Sequence, residues 1–75
     1  MTTIREVINA ILWRDLCEEC FIVIEDRVHS YGLRRIDLCD IARVDKHYIY
    51  FHNGKFVPLH RVRKIVCRNE IVLER

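Results

Sequence analysis

Apolar residues recur at helical spacing near the start of the chain. Thr3 and Glu6 are spaced as a capping box, in which each side chain satisfies a free amide at a helix start. The pattern predicts one amphipathic helix over residues 3–14, and we expect Trp13 to close its apolar end against a sheet. The apolar stripe of this helix comprises Ile4, Val7, Ile8, Ile11 and Leu12.

After residue 20 the pattern changes to short runs of β-branched and aromatic residues, which are typical of strands. Asn53-Gly54 is the strongest hairpin signal, since a two-residue turn needs positive φ at both positions. Pro58 interrupts a strand, and a second hairpin is expected about Asn69-Glu70. The predicted strand segments are residues 21–24, 33–38, 41–45, 48–52, 56–57, 64–68 and 71–73. Segments 33–38 and 41–45 are expected to be one strand that Cys39-Asp40 interrupts.

These elements predict an α+β fold in a single domain over residues 1–75. One N-terminal amphipathic helix is expected to pack on a small, mostly antiparallel curled sheet or barrel of about five to six strands. We expect the helix to contact the strands that contain Val23, Ile36, Ile49 and Ile65.

Charge is unevenly distributed along the chain. Residues 1–45 carry six Arg and nine acidic residues, whereas residues 46–75 carry seven Lys or Arg and two Glu. Residues 55–69 hold five Lys or Arg and no acidic residue. This asymmetry favours one face that binds a polyanion, and the alternative is an ordinary solvated charged surface. No apolar run approaches the ~20 residues of a membrane span, so we expect a cytoplasmic protein without a membrane partner.

The sequence shows no secretion signal, so we expect its four cysteines to be reduced thiols. We expect neither a disulfide nor a cofactor. The spacing of Cys17 and Cys20 leaves a structural zinc site as an alternative, with Cys39 and Cys67 as the other ligands. True zinc sites usually supply two closely spaced pairs, and Cys39 and Cys67 are far apart. We therefore predict no metal.

Several motifs occur together in an order that is specific to one family. They are residues 4–9 with 11–13, a strand ending in Arg27, Asp40-Ile41, the strand pair about Asn53-Gly54, and residues 57–62. With these motifs, the chain resembles over nearly its whole length a small, mainly archaeal family of uncharacterised proteins that carry the RNA cyclic-group end recognition domain. In eukaryotes this domain occurs fused to RNA-processing modules, which include two-histidine phosphoesterases.

The resemblance implies a non-catalytic module that binds RNA ends bearing a phosphate or cyclic phosphate. Binding such a group requires guanidinium or ammonium cations and a hydrogen-bond donor such as imidazole. An aromatic side chain can serve as a stacking platform for the terminal base. The predicted phosphate site comprises His60, Arg61, Arg27, Arg5, Arg63 and Lys64, with Tyr31, Tyr48 and Tyr50 as possible stacking platforms.

Two other functions remain open from the sequence. An enzyme could open a cyclic phosphate with paired histidines, but only His60, among His29, His47, His52 and His60, lies in a family motif. We therefore expect no catalysis. The second alternative is a small accessory subunit that docks on a larger RNA- or DNA-processing protein through an exposed strand edge.

Overall fold

The computed structural model describes residues 3–26 and 32–74. One α-helix, α1, covers Ile4–Trp13. Three single-turn 3-10 helices cover Cys17–Glu19, Leu38–Asp40 and Leu59–Arg61. The strands are β1 (Cys20–Asp26), β2 (Gly32–Asp37), β3 (Ile41–Val44), β4 (Tyr48–Phe51), β5 (Phe56–Pro58), β6 (Val62–Cys67) and β7 (Glu70–Glu74).

The helix lies within the predicted range and begins with the predicted cap, because the hydroxyl of Thr3 accepts a hydrogen bond from the amide of Glu6. Ile4, Ile8 and Ile11 form its buried stripe. The prediction that Trp13 packs against a sheet is wrong, since its side chain is 91% exposed at the end of the helix.

The strands form two antiparallel sheets rather than one. The first sheet has the order β2-β1-β6-β7, and the second has the order β3-β4-β5. The predicted α+β fold, with a helix packed on a single sheet, is therefore wrong, because the described residues form a mostly antiparallel β structure with one short helix. The helix contributes Ile4, Ile8 and Ile11 to the core, and the strands supply most of the other buried residues.

Two of the 3-10 helices are the places where the chain passes from one sheet to the other. Leu38–Asp40 joins β2 to β3, and Leu59–Arg61 joins β5 to β6. In the sequence these points look like interruptions, at Cys39-Asp40 and at Pro58. Strands of packed sheets commonly change sheet at such corners. The apparent breaks thus divide residues 33–68 between two sheets.

The hairpin turns also differ from the prediction in detail. The β4–β5 hairpin forms at Asn53-Gly54, but of these two residues only Gly54 has a positive φ, at 87°. The tight two-residue turn lies instead between β6 and β7, where Arg68 (φ 52°) and Asn69 (φ 66°) are both left-handed. Arg68 is held by Glu19, which accepts its side-chain Nε–H at 2.8 Å and its backbone N–H at 3.0 Å.

The core lies between the two sheets and the helix. Ile36, Ile49 and Ile65 belong to it together with the buried stripe of α1, but the helix itself lies closest to β3 and the second 3-10 helix, which the predicted set of strands did not include. Val23 is buried but lies outside this cluster, because alternate residues of β1 face opposite sides and Ile22 faces the core. The fully buried side chains of the core are Ile8, Ile22, Leu38, Ile49, Val62 and Ile65.

The cysteines form two disulfides, so the predicted reduced thiols are a further correction. Cys17 bonds Cys39, which joins the first and second 3-10 helices. Cys20 bonds Cys67, its direct neighbour across the β1–β6 pair. Each disulfide takes one cysteine of the closely spaced pair and one distant partner, which sequence spacing could not reveal.

Candidate functional site

Arg5 and His60, which the sequence predicts to converge, line one surface groove of about 660 Å³. Four parts of the chain form the groove: the start of α1, the β3–β4 turn, the third 3-10 helix and the end of β7. Its lining residues are Thr3, Ile4, Arg5, Lys46, His47, Leu59, His60, Leu73 and Glu74. We call it the phosphate groove, after the ligand that we propose for it below.

A backbone hydrogen bond joins two walls of the phosphate groove. The amide of Leu59 donates to the carbonyl oxygen of His47 at 2.8 Å, one residue beyond the pairing of Pro58 with Tyr48. Pro58 thus ends β5 at the point where the chain turns toward the groove. Because of this arrangement His47 and His60, which are thirteen positions apart, face the same space.

Asp45 fixes the turn that carries Lys46 and His47. Its Oδ1 accepts hydrogen bonds from the amides of His47 and Tyr48, both at 2.7 Å, and its Oδ2 accepts one from the hydroxyl of Tyr50 at 2.8 Å. The two backbone hydrogen bonds, followed by that from Tyr50, lower the pKa of Asp45 from 3.8 to about 2. The carboxylate is therefore charged and holds the turn throughout the physiological pH range.

The charges of the phosphate groove suit an anion of modest charge. Arg5 and Lys46 contribute two cations, Glu74 contributes one carboxylate, and His47 and His60 contribute imidazoles. The groove also includes the first residues of α1, and the partial positive charge at a helix start favours an anion. The arrangement can provide both ionic attraction and hydrogen-bond donors.

Tyr48 and Tyr50, both predicted to stack on bases, belong to an exposed aromatic cluster on the outer side of the second sheet. The ring centroids of Tyr48 and Phe56 are 5.3 Å apart, and those of Tyr50 and Phe56 are 6.1 Å apart. Arg43 lies over the ring of Tyr50, with its guanidinium carbon 4.0 Å from the centroid. Ile49, between the two tyrosines, is fully buried on the opposite side. We call the side chains of Arg43, Tyr48, Tyr50 and Phe56 the aromatic face.

The other predicted cations lie elsewhere. Arg61 is half-buried in the same 3-10 helix as His60 but does not line the phosphate groove. Arg63 bonds the carboxylate of Glu25. Lys64 lies directly opposite Glu74 in the β6–β7 register, one strand away from the groove wall. Arg27 and Tyr31 fall outside the described residues.

Sequence reasoning missed Lys46 and Asp45 as site residues, and considered His47 only as a catalytic alternative. The signal was present, since an Asp that precedes a short polar segment favours a turn stabilised by its own carboxylate. Arg43 and Phe56 were also missed. Both lie opposite Tyr50 on the neighbouring strands, and this pairing is visible only in the register.

Among residues 3–26 and 32–74, no helix is long and apolar enough to cross a membrane. The same residues contain no group of three or more His, Cys, Asp or Glu side chains arranged to hold a metal ion.

Comparison with known proteins confirms the family resemblance. The model of the MJ1316 RNA cyclic group end recognition domain matches residues 1–75. A UPF0248 protein of Metallosphaera sedula is 39% identical over 75 residues, which cover 97% of this chain and 92% of that protein. A UPF0248 protein of Saccharolobus solfataricus is 35% identical over 73 residues, or 93% and 90% of the two chains. No solved structure matches the chain significantly. The chain therefore belongs to the MJ1316 RNA cyclic group end recognition domain family.

Proposed function

We propose that the protein binds RNA ends that carry a phosphate or a 2′,3′-cyclic phosphate, and that it does so without catalysis. The family name supports recognition of RNA ends. The observation that carries the proposal for this chain is the convergence of Arg5, Lys46, His47 and His60 in one groove beside an exposed aromatic cluster.

The terminal phosphate occupies the phosphate groove in this proposal. Arg5 supplies a planar guanidinium that can contact two phosphate oxygens, and Lys46 adds a point charge. The imidazoles of His47, on the β3–β4 turn, and His60, on the third 3-10 helix, donate hydrogen bonds to the phosphate. Arg61, Arg63, Lys64 and Arg27 contribute to the general attraction of the RNA backbone rather than to the terminal contact.

The terminal base stacks on Tyr48. This tyrosine follows His47 directly in the chain, and its side chain is 38% exposed. A base in contact with an aromatic ring gains about 1–3 kcal/mol, largely independent of its identity. The proposal therefore predicts selection by the end group and little selection by the terminal base.

Substitutions in the phosphate groove test the proposal. Arg5→Ala and His60→Ala should each weaken binding of an RNA with a cyclic-phosphate end, because each removes a contact with the anion. Loss of a charge-assisted hydrogen bond costs about 1.5–3 kcal/mol, which corresponds to about tenfold or more in Kd. Arg14→Ala is the matched control, since it removes an exposed cation from the other end of the same helix.

The experiment measures Kd by fluorescence anisotropy and follows the RNA end by chromatography. We expect the control to bind like wild type, the two groove variants to bind more weakly, and the cyclic end to remain intact. Equal binding by all four proteins would contradict the phosphate groove. Ring opening that is lost in His60→Ala would contradict the non-catalytic assignment.

One observation favours the alternative of an accessory subunit. Trp13 is 91% exposed at the end of α1, and a surface groove along the same helix includes Val7, Ile11 and Val72. Tryptophan is enriched among residues that dominate protein interfaces. Salt dependence separates the two functions, because RNA binding through phosphates weakens steeply as salt rises and apolar docking does not.

A further inference from the structure

We propose that the protein holds a single-stranded RNA tail, with the bases next to the terminal nucleotide on the aromatic face and the backbone continuing into a second groove. This inference rests on the proposed function, because the phosphate groove sets the position of the end. It extends the ligand from a terminal group to a strand of several nucleotides.

The aromatic face has the form of a stacking platform. Phe56 is 57% exposed and contacts Tyr48 edge to face, so two exposed rings lie side by side on adjacent strands. Arg43 covers Tyr50, and a guanidinium plane can itself stack on a base. Contiguous exposed apolar side chains mark a binding surface, whereas single scattered ones are ordinary.

The platform leads from the phosphate groove to a second groove of about 560 Å³. Tyr48 adjoins His47 of the phosphate groove, and Phe56 lines the second groove. The order along the surface is therefore phosphate groove, aromatic rings, second groove. The second groove is lined by Arg34, Arg35, Ile36, Asp37, Asp40, Phe51, His52, Asn53, Lys55, Phe56 and Val57.

The charge of the second groove suits contact with the nucleic-acid backbone rather than binding of a terminal anion. Three cations face two carboxylates, which leaves one net positive charge. Arg35 lies 3.6 Å from Asp37 and also stacks over Phe21, so it contributes less than its full charge. Lys55, at the hairpin end of β5, is the cation closest in sequence to Phe56.

A length series of RNAs tests the inference. Oligonucleotides of two, four and eight residues are prepared with cyclic-phosphate ends and with hydroxyl ends. Wild type should bind the longer RNAs more tightly, by about tenfold per additional stacked base. The gain in affinity should level off once the surface is filled. We expect this at about four nucleotides, the size of the smallest comparable sites.

Substitutions test whether the gain in affinity with RNA length comes from the proposed surface. Phe56→Leu keeps an apolar side chain but removes the ring, and Lys55→Ala removes the cation. Both should lose most of the length gain and keep the preference for cyclic-phosphate ends. Ile71→Ala, at an equally exposed apolar side chain of the first sheet, should bind like wild type.

The outcomes separate this inference from the proposed function. Equal binding of two and eight nucleotides by wild type would overturn the strand surface, as would an undiminished length gain in both Phe56→Leu and Lys55→Ala. Failure of the proposed function would instead show as equal affinity for the two end groups at every length. A protein ligand on the aromatic face would leave RNA binding by Phe56→Leu unchanged, and that result also overturns the inference.

Discussion

The hydroxyl of Tyr50 donates a 2.8 Å hydrogen bond to Oδ2 of Asp45, while Oδ1 of the same carboxylate holds the amides of His47 and Tyr48. A side chain of the aromatic face is therefore bonded to the turn that carries Lys46 and His47 of the phosphate groove. This contact places the two parts of the proposed RNA surface in a fixed relation.

Asp45→Asn should lower thermal stability at neutral pH, because the amide cannot accept all three hydrogen bonds. The pKa of Asp45 is about 2 in the folded protein and about 3.8 when unfolded, so its charge stabilises the fold above pH 3.8. That stabilisation is lost as the pH falls through about 2. The difference in Tm between variant and wild type should therefore shrink between pH 4 and pH 2. A difference that is the same at pH 7 and at pH 2 would contradict the role of the carboxylate.

Tyr50→Phe removes the hydrogen bond to Asp45 and keeps the aromatic ring. The ring remains on the aromatic face, but the turn of Lys46 and His47 loses one of its restraints. We expect a several-fold loss in affinity for cyclic-phosphate ends and an unchanged gain with RNA length. Tyr48→Phe is the control, because it removes a neighbouring hydroxyl and leaves the bond to Asp45 in place. Equal behaviour of the two variants in RNA titrations would argue against the restraint.

Glu74→Gln should change the choice between phosphate ends. A cyclic phosphate carries one negative charge and a 3′-phosphate carries up to two, so repulsion by the Glu74 carboxylate is greater for the 3′-phosphate. Removing that charge should raise affinity for both ends, and more for the 3′-phosphate. Titration of the variant with both RNAs measures the ratio. A ratio unchanged from that of wild type would show that Glu74 does not contribute to the choice.

The disulfides should contribute measurably to stability. Cys17–Cys39 and Cys20–Cys67 link residues that are 22 and 47 positions apart, and the entropy of closing such loops corresponds to about 3–4 kcal/mol each. Reduction, or paired Cys→Ala substitution, should lower the free energy of unfolding measured in urea. Four titratable thiols in the native protein, or unfolding that is indifferent to reductant, would contradict this prediction.

Local signals in the sequence were enough to place most of the secondary structure. Thr3 and the isoleucine spacing identify α1, and the β-branched runs identify the strands. The arrangement of the strands in two sheets was not predictable in the same way, because a corner such as Leu38–Asp40 and a mere interruption of a strand have the same sequence pattern. The disulfide partners depend on that arrangement, since Cys20 meets Cys67 only through the β1–β6 register.

The candidate site, like the fold, was predictable from the sequence only in part. Arg5 and His60 of the predicted site line one groove, whereas Arg61 of the same predicted site does not line it. The basic run of residues 55–69 does not form a single patch, because Arg63 and Arg68 bind carboxylates that are distant in sequence. Lys46 joins the groove through a turn that depends on Asp45. Its contribution follows from three-dimensional hydrogen bonding rather than from the spacing of cations.

The most direct test of the proposed function is the affinity of the wild-type protein for one short RNA with three different ends. The RNA carries a 2′,3′-cyclic phosphate, a 3′-phosphate or a 3′-hydroxyl, and Kd is measured at one fixed salt concentration. Occupation of the phosphate groove predicts that both phosphate ends bind at least about tenfold more tightly than the hydroxyl end. Equal affinity for the three ends would contradict recognition of the RNA end by this protein.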